Sequence, residues 1–143
     1  MEECQPLKNL AGQLSLRHVH FLGEILEDER VGKWIYASIA FVMPGRLGLS
    51  VVHSFAFGTP IISQRKDSFF HGEGVGYVEE GINGFLVTDN NVEEMAKKME
   101  LLMTNPSVRE RMRIDALLTV EQRCSVEKMV EGFDKAISFV RSQ

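Results

Sequence analysis

Cysteine is scarce in this sequence: Cys4 and Cys124 are the only two among 143 residues. A single stray pair is no disulfide framework, so we expect a reducing, cytoplasmic setting. No apolar run approaches the roughly 18 residues that a membrane-spanning helix needs. Residues 1–9 are acidic early and contain no apolar stretch, which is not the pattern of a signal peptide. These absences predict a cytoplasmic protein.

Basic residues are in the minority, with 16 lysines and arginines against 20 acidic residues and a net charge of -4. Because nucleic-acid binding usually needs a basic face, this balance argues against a nucleic-acid partner. The four histidines and two cysteines do not have the spacing of a zinc site. No serine, histidine and acid can be grouped into a nucleophilic triad. The sequence therefore predicts no metal and leaves the catalytic residues unknown.

Segments typical of strands and helices alternate along the chain. Short apolar runs predict strands at residues 19–22, 39–43, 59–62 and 84–87. Helical spacing predicts helices within residues 3–14, 29–38 and 49–57. Capping residues predict three more helices: one after Asn90 or Asn91, with Glu93 or Glu94 completing a capping box, one that restarts at Asn105-Pro106, and one that begins near Ser125. The run at 39–43 is typical of a strand covered on both faces. This order predicts an α/β domain with a parallel, Rossmann-like sheet flanked by helices.

Residues 64–83 are rich in glycine and charge and predict a long loop with one helical turn. A loop of this length is usually functional or mobile. Arg65 or Lys66 could meet a phosphate, and His71 lies nearby in sequence. A solvated loop is the simpler interpretation of all three.

The turn after the 39–43 run carries the strongest chemical signal. Gly45 and Gly48 would let the backbone come close to a ligand. The amides of Gly48, Leu49 and Ser50 would be unpaired donors in the first turn of the next helix, where phosphate is attracted. His53 lies one turn further on, where it could reach a ribose hydroxyl. Taken alone, such a turn is more often a plain tight turn than a phosphate site.

The segment from Pro44 to Pro60 resembles the retaining group 1, or family 4, glycosyltransferases of the two-Rossmann-domain (GT-B) architecture. Their C-terminal domain carries the pattern Pro-Ser-x-x-Glu-Gly-Phe-Gly-Leu-x-x-x-Glu-Ala-x-Ala-x-Gly-x-Pro after its fourth strand. Here the spacing from the proline to Gly48-Leu49 is about three residues shorter, and the register then holds to Pro60. Residues 19–23, 39–43 and 80–87 also resemble family segments. The resemblance covers roughly residues 7–140.

This resemblance implies that the chain binds a nucleotide-diphosphate sugar, the donor for retaining transfer to a growing glycan. The large group concerned builds bacterial surface polysaccharides, in the cytoplasm or peripherally at the inner membrane. The sugar nucleotide is a substrate, and no cofactor is implied. The implied binding groups are the helix-start amides for the diphosphate and His53 for the ribose.

Carboxylates that the family uses are absent from this site. The family places two glutamates eight residues apart, the first on the donor sugar and the second on the ribose. Here Gly45 and His53 hold those positions. Histidine can still hydrogen-bond a ribose hydroxyl, but glycine cannot replace a carboxylate. A further glutamate, usual five residues before Gly81, is Gly76 here, and Glu73 is the nearest upstream carboxylate that could substitute for it.

Parts of the family's architecture have no counterpart here. Members have an N-terminal acceptor-binding domain, and two further strands precede the one that residues 19–22 resemble. Those strands carry an arginine and a lysine for the diphosphate, and nothing in residues 1–18 resembles them. In the family's strand order, 3-2-1-4-5-6, their absence leaves the 39–43 strand with an unpaired edge. We therefore expect residues 1–143 to form a single partial domain that is inactive alone and needs a complementing chain, self-association or rearranged strand pairing to cover that edge.

Two other functions stay open. A sugar-nucleotide epimerase of the same architecture would act on its donor without an acceptor. A non-catalytic binding or assembly subunit would complete a partner encoded elsewhere, and the lack of carboxylates at positions 45 and 76 slightly favours it. The sequence does not reveal the donor sugar, the base, the acceptor or the linkage.

Overall fold

The computed structural model of the chain describes residues 4–65 and 72–142. The chain divides into two compact units, Met1–Gly32 and Lys33–Gln143. The first unit contains helix α1 (Gln5–Gln13), which begins with Pro6 in its first turn, where a missing N–H costs nothing. Helix α2 (Asp28–Ala37) starts in this unit and ends in the second.

The predicted strand at residues 19–22 is wrong, because this segment has no regular secondary structure. A strand needs a hydrogen-bonded neighbour, and the described sheet contains no strand beside this segment. In the predicted order its neighbour would be one of the two family strands that no segment of the chain resembles. Val19, Phe21 and Leu22 are accordingly exposed.

The second unit holds a parallel sheet and most of the helices. Its strands are β1 (Phe41–Met43), β2 (Ile61–Arg65) and β3 (Gly84–Thr88), hydrogen-bonded in the order β1-β2-β3. Its further helices are α3 (Ser50–Ala56), α4 (Val92–Thr104), α5 (Pro106–Thr119) and α6 (Val126–Arg141). A 3₁₀ turn (Glu73–Tyr77) precedes β3, and a π-helical turn (Val120–Cys124) joins α5 to α6. The predicted α/β class with a parallel sheet is confirmed.

Two apolar clusters cover the two faces of the sheet, because successive strand residues point in opposite directions. Ile61 belongs to the first cluster and Ile62 to the second. The other buried members of the first are Leu47, Val51, Phe55, Val78 and Ala116. The other buried members of the second are Phe85, Val87, Leu102 and Met112. Helix α5 contributes to both clusters through Met112 and Ala116, so it ties the two layers together.

Strand β1 forms one edge of the described sheet, since it pairs with β2 alone. Phe41 and Met43 pack against the first cluster and Val42 against the second, so both faces are covered in part. All three side chains stay only half-buried. Within the described residues, the unpaired edge predicted for residues 39–43 is therefore present.

Three helices begin at the capping residues that the sequence predicted. The side chains of Asn91, Asn105 and Ser125 accept hydrogen bonds from the backbone N–H groups of Glu94, Val108 and Lys128, respectively. The capping box predicted at α4 is incomplete. The Glu94 carboxylate accepts the N–H of Thr88 at 2.9 Å, and the N–H of Asn91 bonds to the Thr88 carbonyl instead.

The Glu94 contact gives the fold a predictable response to pH. The backbone and side chain of Thr88 hydrogen-bond the carboxylate and, with smaller effects of Lys98 and Arg65, lower the pKa of Glu94. A carboxyl whose pKa falls on folding adds stability above its unfolded pKa of about 4.3, and this is lost as pH falls through the folded pKa. We expect Glu94→Gln to lower Tm near neutral pH and to flatten the dependence of Tm on pH below about 4.5.

Thermal unfolding followed by circular dichroism across this pH range measures the effect. Glu93→Gln is the matched control, because Glu93 makes only an exposed ion pair with Lys97, at 2.7 Å. An acid response of Glu94→Gln that matched that of the wild type would contradict the prediction.

Candidate functional site

The turn between β1 and α3, residues 44–49, is anchored through Leu47 and is exposed over much of its length; we call it the Gly48 turn. Leu47 is fully buried in the first cluster and fixes the turn on the sheet. Leu49 is 85% exposed, and Gly45, Gly48 and Ser50 are partly exposed. Helix α3 spans seven residues, Ser50–Ala56, and is shorter at each end than the predicted 49–57.

The glycines of the Gly48 turn face open space. A Cβ atom placed on Gly45 or Gly48 would meet no described atom within 4 Å. Among the described residues, no acceptor pairs with the N–H groups of Gly48, Leu49 and Ser50, whereas the N–H of Val51 bonds to the Gly48 carbonyl at 3.2 Å. The turn therefore presents backbone donors at a place where a ligand has room.

His53 lies on the exposed side of α3, one turn after Leu49. Its backbone N–H donates to the Leu49 carbonyl at 3.1 Å, which closes that turn of the helix. The buried residues of α3 are Val51, Ser54 and Phe55, so the imidazole is on the opposite side from the core. Leu49 and His53, four residues apart, share one exposed face.

The structure brings Glu73 beside the Gly48 turn. The N–H of Gly72 donates to the Leu47 carbonyl at 2.8 Å. On the other side of Glu73, a Cβ on Gly74 would overlap the Gly48 carbonyl oxygen. The predicted helical turn in this loop is confirmed as the 3₁₀ turn, and the exposed Glu73 begins it.

Gly76, which stands where the family usually has a glutamate, contacts Arg123 through its backbone. A Cβ on Gly76 would meet no described atom within 4 Å, so a side chain would fit there. The Gly76 carbonyl instead accepts a hydrogen bond from Nη2 of Arg123 at 2.8 Å. Sequence reasoning missed this arginine, which lies 47 residues away along the chain.

Asn83 fixes the loop that follows the 3₁₀ turn. This fully buried side chain accepts the N–H of Glu79 at 2.8 Å through Oδ1. Its Nδ2 donates to the Tyr77 carbonyl and to the Thr119 hydroxyl, both at 2.9 Å. The Thr119 hydroxyl in turn donates to the Asp115 carbonyl. The signal for this role was the Asn-Gly pair before β3, although the sequence did not reveal the partners.

Arg65 is the last residue of β2, so the predicted loop begins after residue 65 and not at residue 64. It stands at the carboxyl end of β2, where its guanidinium lies 3.7 Å from the Glu80 carboxylate and donates to the Leu86 carbonyl at 3.3 Å. Lys66 and His71, named with it as loop residues, lie outside the described residues.

No metal-like cluster occurs in the part of the chain that the structure describes, since no three histidine, cysteine, aspartate or glutamate side chains converge there. Burial raises the pKa of the half-buried Cys124 thiol. None of the described helices combines the length and the apolar composition needed to cross a membrane.

Comparison with known proteins identifies the family. Residues 2–117 match the family model described as "Glycosyl transferases group 1". The chain therefore belongs to the group 1 glycosyltransferases. Its α/β architecture is that of the C-terminal domain of GT-B glycosyltransferases, as the sequence predicted.

Two relatives and one solved structure illustrate the match. An uncharacterized glycosyltransferase of Haemophilus influenzae is 35% identical over 135 residues, which cover 91% of this chain and 36% of that protein. D-rhamnosyltransferase WbpZ of Pseudomonas aeruginosa is 30% identical over 108 residues, 71% of this chain and 27% of that protein. Anabaena Alr3699/HepE in complex with UDP superposes with a TM-score of 0.78 and 21% identity, over 94% of this chain and 36% of that one.

Proposed function

We propose that this chain supplies the donor-binding part of a retaining glycosyltransferase that acts in bacterial surface polysaccharide synthesis on the cytoplasmic side. The observation that carries the proposal is the match to the group 1 family over residues 2–117, which include all the predicted site residues. The Gly48 turn supports it, because its backbone donors without a partner among the described residues suit an anionic ligand.

The proposed ligand is a nucleotide-diphosphate sugar. The N–H groups of Gly48, Leu49 and Ser50 would donate to the diphosphate, and Gly45 and Gly48 would allow it to approach the backbone. Helix α3 has only seven residues, so we assign the attraction to direct hydrogen bonds and little of it to a helix dipole. His53 would hydrogen-bond the ribose, and Glu73 would supply the nearest carboxylate to the donor.

In the proposed reaction the bond between the anomeric carbon and the diphosphate oxygen breaks, and a bond to the acceptor oxygen forms with the same anomeric configuration. The proton of the acceptor hydroxyl passes to the leaving diphosphate or to solvent. The charge that develops on the leaving nucleoside diphosphate needs stabilisation by donors aimed at its oxygens. The chain spans 36% and 27% of its two curated relatives, so acceptor binding and full catalysis belong to the whole proteins. We propose that the isolated chain binds donor but does not transfer it.

Calorimetric titration of the purified chain with UDP and with GDP tests donor binding. UDP is the first probe because Alr3699/HepE has been solved in complex with UDP and with UDP-glucose. We expect saturable binding that weakens about tenfold or more in His53→Ala, since one hydrogen bond of this kind contributes about 1.5 kcal/mol. His18→Ala is the control, because His18 lies outside the proposed site.

Absence of binding to either nucleotide by a folded sample would contradict the donor-site proposal and favour an assembly subunit. Equal affinities of the His53 and His18 variants would contradict the role of His53. EDTA should leave the affinity unchanged, because the proposed contacts need no metal.

The unpaired edge of β1 supports a second chain as partner, either another copy or a complementing polypeptide. Free backbone groups of an edge strand pair readily with another strand. We expect the chain to self-associate in analytical ultracentrifugation as its concentration rises. Ile39→Lys, which places a charge on the exposed residue just before that strand, should shift the distribution toward monomer. A cooperatively folding wild-type monomer at high concentration would contradict the proposal.

A further inference from the structure

We propose that Arg123 is a positioning residue of the donor site, whose guanidinium holds the 3₁₀ turn, and with it Glu73, against the Gly48 turn. This inference rests on the proposed function of that turn. Arg123 would touch no substrate itself and would act through the backbone of the segment that it holds.

Arg123 makes three contacts with one short segment. Its Nη1 donates to the Glu79 carboxylate at 2.8 Å, and its Nη2 donates to the Gly76 carbonyl at 2.8 Å. The guanidinium also lies over the Tyr77 ring, 5.2 Å from the centroid. A planar fork of this kind fixes two acceptors at once, which a lysine cannot do.

The opposite end of the same segment rests on the Gly48 turn. Gly72 donates to the Leu47 carbonyl, and Gly74 has no room for a Cβ beside the Gly48 carbonyl. Only Val75 separates Gly74 from residues 76–79, which Arg123 contacts. Glu73 lies between the two residues that contact the Gly48 turn. Displacement of the 3₁₀ turn would therefore move the Glu73 carboxylate relative to the backbone amides of the Gly48 turn.

The π-helical turn places Arg123 at this point. It follows α5 directly, and α5 is fixed to the core through the buried Met112 and Ala116. The guanidinium therefore extends from a firmly packed element to a segment that is only partly packed. Of the 3₁₀ turn, Gly74 is buried, and Val75 and Tyr77 are half-buried against the first cluster, so the polar contacts of Arg123 add to this partial packing.

Arg123 contributes more to local order than to the stability of the whole chain. Its side chain and that of Glu79 are 42% and 49% exposed, and exposed ion pairs stabilise folds little. Asn83 separately holds the Tyr77 carbonyl and the Glu79 N–H from inside the core. Loss of Arg123 should therefore loosen the 3₁₀ turn while the rest of the domain stays folded.

Hydrogen exchange and UDP titration on the full chain test the inference. In Arg123→Gln we expect amides of residues 72–79 to exchange roughly tenfold faster, with Tm almost unchanged. We expect the Kd for UDP-glucose to rise about three- to thirtyfold, the range of couplings between neighbouring groups. Arg123→Lys keeps the charge but not the forked guanidinium, so its exchange rates and its Kd should fall between those of the wild type and Arg123→Gln. Arg113→Gln is the matched control, since Arg113 pairs with Glu110 and lies over Tyr36, away from the 3₁₀ turn.

A double-mutant cycle separates positioning from a general structural effect. If Arg123 acts by placing Glu73, Arg123→Gln should weaken UDP-glucose binding less in a Glu73→Gln background than in the wild type. Unchanged hydrogen exchange at residues 72–79 in Arg123→Gln would overturn the inference. Faster exchange would also overturn it if Arg123→Gln bound UDP-glucose as tightly as the Arg113→Gln control does. Fully additive effects of Arg123→Gln and Glu73→Gln on the Kd would overturn it as well. A wild type that binds neither UDP nor UDP-glucose would defeat the proposed function and the donor-site role together. The exchange data would still decide whether Arg123 holds the turn.

Discussion

Asn83→Ala is expected to lower the free energy of unfolding by about 3 kcal/mol. The side chain is fully buried and satisfies three partners: the Glu79 N–H, the Tyr77 carbonyl and the Thr119 hydroxyl. Alanine would leave the first two, which are part-buried, without this bond, and would open a cavity where the buried amide was. The loss of a buried partner costs more than the net value of the bond, because the desolvation of the remaining group is not repaid.

Urea unfolding followed by circular dichroism measures this change. Asn9→Ala is the matched control, because Asn9 is exposed and accepts a bond only from the Gln5 amide. We expect the control to stay within about 0.5 kcal/mol of the wild type. Asn83→Asp should be as damaging as Asn83→Ala, since it would set a carboxylate oxygen against the Tyr77 carbonyl. A loss below about 1 kcal/mol in Asn83→Ala would show that water replaces the missing amide.

Local sequence signals predicted most of the elements of the second unit. Each of the caps at Asn91, Asn105 and Ser125 depends on a bond that spans three residues, so the local sequence contains all that is needed. The apolar runs at β1, β2 and β3 are likewise complete within a few residues. Residues 19–22 also contain an apolar run, but within residues 4–65 and 72–142 no strand pairs with them. Pairing is a long-range property, and composition alone could not exclude that strand.

In the candidate site, too, the local features could be predicted from the sequence and the long-range contacts could not. The Gly48 turn follows a strand directly, and the resemblance to a family pattern picked out its residues. Arg123 contacts Gly76, 47 residues away along the chain, and Glu79, 44 residues away, and no periodic sequence pattern predicts such contacts. The approach of the 3₁₀ turn to the Gly48 turn was also hidden, because its evidence in sequence is only a glycine at 74. Glycines in such a loop can serve backbone packing or ligand access, and only the structure distinguishes the two.

That distinction leads to opposite expectations for two alanine variants. Gly74→Ala would drive a Cβ into the Gly48 carbonyl oxygen, a backbone atom that cannot rotate away, and would crowd the Val51 side chain at 3.2 Å. We expect it to destabilise the fold by about 2 kcal/mol and to displace the Gly48 turn. Gly48→Ala meets open space and needs no left-handed backbone, so its stability should match or slightly exceed that of the wild type.

For ligand binding, Gly48→Ala is expected to be the informative variant. If the diphosphate approaches the backbone at Gly48, a methyl group there would occupy its space and weaken UDP binding about tenfold or more, while Tm stays constant. Gly132→Ala, a change at an equally open glycine on α6, is the control for the titration. Wild-type affinity in Gly48→Ala would mean that the space beside this glycine is not where the diphosphate binds. A normal Tm in Gly74→Ala would mean that the 3₁₀ turn can lift from the Gly48 turn at little cost, and a loosely held turn could not keep Glu73 beside a bound donor.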